Sequence, residues 1–262
     1  MSLREIVEKG RKLLIGVVHL PPLPGSPRWN GQDLESIVDF AVRNAQRIEQ
    51  GGGDGVIIEN FNDNPFPRDD VPDETLVSMA IIVREVVKAV SIPVGVNLLR
   101  SACREATIVA ALCGGKFVRC NAYCETISCP EGIIQPQARD VIEVQRMLGR
   151  KIEVLADVYV KHASPLHTMS LRDVVENCVE RCLADFIVVT GRKTGEAPDP
   201  EFVHQVVSVS KAPVLVGSGT CPENVRLFKN VAGIIVGTYI KDSNGEISIE
   251  KVRRMRTTLD TA

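Results

Sequence analysis

Short apolar runs rich in Val, Ile and Leu recur along the chain, separated by stretches whose apolar residues repeat at helical spacing. The runs are LLIGVVHL (13–20), GVIIENF (55–61), PVGVNLL (93–99), FVRCNAY (117–123), IEVLADVYV (152–160), FIVVTG (186–191), PVLVGSG (213–219) and GIIVGTYI (233–240). Several follow Gly or Pro, as in SIP before Val94 and KAP before Val214, which stops a helix and starts a strand. Between them, DLESIVDFAVRNAQRIEQGG aligns Ile37, Phe40, Ala41, Ala45 and Ile48 on one face and ends on glycines. PDETLVSMAIIVREVVKAV, ARDVIEVQRML and SLRDVVENCVERCL carry the same period, the last with Ser170 placed to cap it. The helix in PENVRLFKN is expected to be short, and a final helix runs from about Ser248 to the end.

Strand-then-helix units repeated eight times over residues 1–262, with no break in composition, predict an α/β fold: a single-domain (β/α)8 TIM barrel. A doubly wound open sheet would place a phosphate-binding glycine loop after the first strand. Here that strand runs into the proline-rich HLPPLPGSPRWNG, and the glycine turns come last.

That order locates the candidate chemistry. In such barrels the loops after strands seven and eight often hold phosphate. Gly217, Ser218 and Gly219 after the seventh strand, with Gly237 and Thr238 after the eighth, are expected to form a phosphate cradle, since glycine leaves its backbone N–H groups open to close approach. The alternative is that these glycines only fit tight turns. Strand ends supply the polar groups: His19, Glu59 and Asn60, Asn97, Arg119 and Asn121, Asp157, Lys161 and His162, and Thr190. Lys161, Asp157, Glu59 and His19 are the expected catalytic groups, and the others are expected to bind substrate. Each has a structural alternative: an Asp157–Lys161 ion pair, Glu59 held by Arg100 or Arg119, or His19, His162 and His167 as plain loop residues. Five strand ends offering ionisable or amide groups to one mouth are harder to explain by packing, because charge there is costly unless paired or used.

The remaining composition narrows the picture. A formal charge of −2 gives no electrostatic case for nucleic acid. No apolar run approaches the roughly 18 residues of a membrane span. MSLREIVEKGRKLL lacks the apolar core of a signal peptide, so a soluble, cytoplasmic protein is expected. The chain has 8 cysteines. Cys103, Cys113, Cys178 and Cys182 fall in helical patterns, and Cys120, Cys124 and Cys129 lie close together in RCNAYCETISCPEG. The spacing fits buried or loop thiols before a disulfide between two of those three, and a metal site last. No motif commits a residue to a metal or a dinucleotide cofactor, although Mg²⁺ on Glu59 and Asp157 would suit carboxylate chemistry.

GVVHLPPLPGSP (16–27), DGVIIENFNDNPF (54–66), VGVNLLRS (94–101), DVYVKHASPL (157–166), FIVVTGRKTGE (186–196), PVLVGSGTCPENV (213–225) and GIIVGTYIK (233–241) resemble the BtpA/SgcQ family. The family is similar to the ribulose-phosphate-binding barrels, so the resemblance also implies a TIM fold. It is named for a photosystem I biogenesis factor described as a peripheral thylakoid protein, which implies peripheral membrane contact. Its SgcQ branch sits among presumed sugar-metabolism proteins. The segment NAYCETISCPEGIIQPQ, with two added cysteines, departs from the glycine-rich stretch expected of relatives. Two functions follow. One is an enzyme of aldolase, isomerase or lyase type on a phosphorylated sugar- or nucleoside-derived metabolite, with Lys161 in acid–base or Schiff-base chemistry. The other is a non-enzymatic assembly factor that uses the barrel as a scaffold. Barrels of this type often pair into homo-oligomers.

Overall fold

The computed structural model describes residues 1–262. Eight parallel strands close into a barrel: β1 (Leu13–His19), β2 (Gly55–Glu59), β3 (Val94–Asn97), β4 (Phe117–Cys120), β5 (Glu153–Val158), β6 (Phe186–Thr190), β7 (Val214–Gly217) and β8 (Gly233–Val236). Each strand pairs with its sequence neighbours, and β1 pairs with β8 to close the ring. The eight apolar runs thus form the barrel in the expected order.

Alternation along the strands makes two cores. Inside the barrel, Ile15, Val17, Ile57, Phe117, Leu155, Phe186, Val188, Leu215 and Ile235 fill the lumen. Gly95 makes room for Phe117, because a Cβ there would lie 2.2 Å from the ring. Outside the strands a larger apolar layer packs under the helices. The first residues, expected only not to be a signal peptide, form a short helix (Leu3–Glu8) capped by Ser2 and Glu5. Leu3 and Ile6 plug the lower end of the lumen. Glu153 at the foot of β5 accepts the N–H groups of Leu3 and Arg4, at 2.8 and 3.0 Å.

The helix in PENVRLFKN is short, as expected, and is a single 3-10 turn, Val225–Leu227. Ser170 caps its helix as expected, accepting from the Asp173 N–H. The helix that the eight-unit repeat requires between β6 and β7 is Pro200–Val209, started by Asp199. Between β4 and β5 the chain makes a small antiparallel hairpin, Ile127–Cys129 with Gly132–Ile134, extended by Ser164–Pro165. The disulfide differs from expectation. Cys124 joins Cys178 on the helical segment that follows β5, not another member of the 120–129 group. Cys120 is buried at the end of β4, and Cys129 sits in the hairpin with its thiol on the Gly132 carbonyl, so neither faces Cys124. No helix is long and apolar enough to cross a membrane.

Candidate active site

Strand register brings the polar residues together. His19 lies opposite Glu59 across β1 and β2, and Glu59 opposite Asn97 across β2 and β3. Asn97 Nδ2 donates to Glu59 Oε2 at 2.6 Å, and His19 Nε2 stands 3.6 Å from Glu59 Oε1. The far nitrogen, His19 Nδ1, contacts Lys241 Nζ at 2.6 Å. A lysine ammonium only donates, so Nδ1 accepts and the proton of the neutral ring sits on Nε2, toward Glu59. Burial drives the His19 pKa down to about 4, with Lys241, Lys161 and Arg119 adding to the effect against Glu59. His19 is therefore a neutral imidazole, and its contact with Glu59 is a polar contact rather than an ion pair. The ring stacks on Phe61, with centroids 4.2 Å apart.

Burial alone would raise the Glu59 pKa, but His19, Arg119, Lys161 and the Asn97 bond outweigh it and hold the carboxylate below its ordinary range. Burial, followed by the repulsion of Arg119, lowers Lys161 to about 8. Lys241 is lowered to about 8 by burial as well. Lys161 Nζ donates to Ser218 Oγ at 3.2 Å, which sets the amine at the lip of the glycine turn.

The glycine turn after β7 is built from left-handed residues. Ser218 and Gly219 both have positive φ, +68° and +61°. A Cβ on Gly219 would lie 2.1 Å from the Ala197 nitrogen, so only glycine lets the loop after β6 pack here. Asn224 braces the turn by donating to the Gly219 carbonyl and accepting from the Cys221 N–H. No hydrogen bond within the protein uses the backbone N–H of Gly219, Thr220, Gly237 or Thr238. These groups surround a small cavity of about 30 Å³ that is also lined by His19, Glu59, Arg119 and Lys161, with Thr194 and Gly195 of the loop after β6. Gly237 makes room for the imidazole, as a Cβ there would lie 3.0 Å from His19 Nε2.

A second chamber, about 190 Å³, shares Glu59, Arg119, Lys161 and Thr194 with the first and extends toward Phe61, Phe66, Asn97, Arg100 and Asn121. His162 lines it too, and its Nε2 accepts from the Thr194 N–H at 3.3 Å. A larger cavity of about 820 Å³ lies to one side, between the loops after β5 and β6. It holds Thr190, Lys161 and His162 with Arg192, Glu196 and Asp199, whereas Glu59 and Arg119 line the two smaller spaces and His19 the first of them.

Three expected site residues take different places. Asp157 is saturated: Arg119 donates to it twice at 3.0 Å, and Asn121 donates at 2.8 Å. It orients Arg119 and does not pair with Lys161, and a Mg²⁺ ion shared with Glu59 would have to break this arrangement. Asn60 braces the loops, donating to Asp63 and accepting from the Leu99 N–H. Thr190 faces the side cavity, and its hydroxyl has no partner in the protein. Lys241, Arg100, Phe61 and Thr194 join the site beyond the residues expected from sequence. Lys241 is signalled only by its place just past the eighth apolar run, and Thr194 by the glycine-bearing RKTGE loop.

The model of the BtpA family matches residues 10–260. An uncharacterised Pyrococcus furiosus protein is 44% identical over 256 residues, covering 95% of this chain and 96% of that one. The photosystem I biogenesis protein BtpA of Synechocystis is 38% identical over 230 residues, covering 87% and 80%. Among solved structures, (S)-3-O-geranylgeranylglyceryl phosphate synthase of Thermoplasma acidophilum, in complex with its substrate sn-glycerol-1-phosphate, covers all of both chains with TM-score 0.64 at 12% identity. KGPDC of Streptococcus mutans matches with TM-score 0.61 at 11% identity, over 96% and 99% of the chains. At such identities these structures speak for the barrel fold alone.

Proposed function

The chain belongs to the BtpA family, and from that premise and the geometry of the barrel mouth we propose an enzyme that acts on a small phosphorylated metabolite by aldolase-, isomerase- or lyase-type chemistry. The observation that carries the reading is the placement of Lys161: a buried amine with a pKa near 8, bonded to Ser218 beside four unused backbone N–H groups. Unused amides in a glycine turn suit a phosphate. One barrel of the same fold, at 12% identity, holds sn-glycerol-1-phosphate, a ligand of that class.

With the phosphate in the cradle, the substrate carbon skeleton meets Lys161, Glu59 and Arg119, which line both spaces. The neutral fraction of Lys161 can attack a carbonyl carbon; the carbinolamine then loses water to give an imine. Alternatively the amine removes a proton from the carbon next to the carbonyl. Glu59, held ionised, is the base beside it, and the His19 Nε2–H orients it. Arg119, fixed by Asp157, offers positive charge to a developing oxyanion.

Borohydride reduction in the presence of ribose 5-phosphate or ribulose 5-phosphate, followed by peptide mass spectrometry, tests this. The reading predicts a reduced adduct on Lys161 or, for proton transfer, solvent deuterium entering the bound sugar phosphate and lost in Lys161→Met. A sugar phosphate that binds yet gives neither adduct nor exchange would sink it. The second reading, an assembly factor, is favoured by the name of the Synechocystis relative. It predicts that Lys161→Met leaves the protein's role intact.

A further inference from the structure

Two arginines line the inner chamber, and they differ. Arg119 is 4% exposed and neutralised by its two hydrogen bonds to Asp157. Arg100 is 5% exposed and pairs with no carboxylate; its one side-chain bond runs from Nη2 to the Lys161 carbonyl at 2.6 Å. Its Nε is buried with no partner. A guanidinium keeps its charge at any ordinary pH, so burial without a counter-ion is costly unless something supplies one.

The position is built. The Arg100 N–H donates to the Pro67 carbonyl, the Ser101 N–H to the Arg68 carbonyl and the Leu99 N–H to Asn60 Oδ1. The loop after β2 thus clamps the loop after β3 and holds the guanidinium against the chamber. On the β4 side of the same chamber, Asn121 spends its Nδ2 on Asp157, while its Oδ1 is buried and unbonded. The chamber therefore offers a cation without an anion and an acceptor without a donor. Glu59 is the only carboxylate among its lining residues, and it is already engaged with Asn97.

The geometry points to a substrate with two acidic ends: the phosphate in the glycine cradle, and a compact oxyanion, carboxylate or second phosphate, on Arg100, with a hydroxyl between them donating to Asn121. This rests on the cradle reading above and names the substrate class for that same site. The two spaces, about 190 and 30 Å³, fall below the roughly 300 Å³ at which pockets for drug-sized ligands begin. They suit a phosphorylated hydroxy acid or sugar bisphosphate of a few carbons rather than a nucleotide. Arg100 also explains specificity, because a ligand lacking the second acid leaves the guanidinium unpaired.

Calorimetric titration of the intact protein with matched pairs tests this. The pairs are sn-glycerol 3-phosphate against 3-phosphoglycerate, and ribose 5-phosphate against 5-phosphoribonate. Each differs by exchange of an alcohol or aldehyde for a carboxylate. Ribulose 1,5-bisphosphate against ribose 5-phosphate reads the second-phosphate case, and inorganic phosphate titrated into Arg100→Gln reads the cradle alone. The inference predicts that one doubly acidic member binds about tenfold tighter or more than its partner, the factor expected of one charge-assisted hydrogen bond. Arg100→Gln should remove that preference while inorganic phosphate affinity stays within about threefold, and Arg100→Lys should restore part of it. Equal affinity within every pair overturns the second-acid inference while leaving the cradle standing. No binding by any probe, inorganic phosphate included, overturns the cradle and this inference with it. The comparison of ligands on the unaltered protein holds even if an Arg100 variant misfolds.

Discussion

The two ends of the barrel handle buried charge in opposite ways. At the lower end, each charge closes on a structural partner. Asp54 accepts from Arg11 Nε at 2.6 Å, Arg256 Nη1 at 2.7 Å and the Leu14 N–H at 2.9 Å. Asp185 takes Lys151 and the Val154 N–H, and Glu153 holds the first helix. At the mouth, Lys161 and Lys241 meet a hydroxyl and a neutral imidazole in place of carboxylates, and Arg100 meets a carbonyl. Arg119 and Asp157 are the exception there, a lower-end pattern placed at the upper end. Charges that serve the fold are paired within it; Lys161 and Arg100, left open, line the cavities, and Lys241 reaches them through His19.

The largest effect that would break this comparison is in catalysis. Lys161→Met should lower turnover of a phosphorylated substrate by about a thousandfold or more, while the melting temperature holds or rises because a buried amine is removed. A steep loss of stability would place Lys161 with the structural charges. The matched change below is Asp54→Ala, which leaves the buried Leu14 N–H without its acceptor and takes from Arg256 its buried carboxylate, leaving it the more exposed Asp260. It should cost about 3 kcal/mol or more in urea unfolding, and a cost near zero would erase the difference between the ends.

The sign of the pH dependence sharpens the contrast. Lys161 and Lys241 fall from an ordinary 10.5 to about 8 in the folded chain. Between those values the unfolded state binds more protons, so stability rises with pH across that window and the gain is lost as pH falls through 8. Urea midpoints from pH 7.5 to 10.5 should show this rise, and Lys161→Met/Lys241→Met should flatten it. A reaction that uses the free amine of Lys161 should speed up with a midpoint near pH 8.

The smallest test compares two glycines. Gly149 has φ +59° at a helix end, and a Cβ added there would meet nothing within 4 Å, whereas Gly219 has φ +61° with the Ala197 backbone 2.1 Å away. Gly149→Ala should cost about 1 kcal/mol of stability and leave phosphate binding alone. Gly219→Ala should cost more and weaken phosphate binding, by titration of inorganic phosphate. Equal outcomes would mean that the Gly219 turn serves only the chain path.

The barrel is legible in the sequence because each strand is an apolar run bounded by Gly, Pro or a polar end, and eight of them leave few alternatives. The glycine turns at the mouth are legible because they fall after the last two strands. Pairings are not, since register between strands is a three-dimensional quantity. Sequence alone sets Asp157 against Lys161 on its own segment, but β5 lies beside β4 and presents it to Arg119. Alternation along β5 stops at Val158, where Tyr159 turns to φ +50°. Lys161 therefore reaches the mouth by a turn of the chain rather than by strand parity. Cys178 is hidden for the same reason: its partner lies 54 residues away.

The central claim is that the open amides and the low-pKa amine at the mouth are arranged for a phosphorylated ligand. Its most direct test is a thermal-shift titration of ribose 5-phosphate and inorganic phosphate against the unaltered protein and Gly219→Asp, which brings a negative charge to the turn and displaces the Ala197 backbone packed on it. A ligand at a hundred times its dissociation constant should add roughly 2.7 kcal/mol of stability, lost in Gly219→Asp. Stabilisation that survives Gly219→Asp, or none in the unaltered protein, would contradict the account.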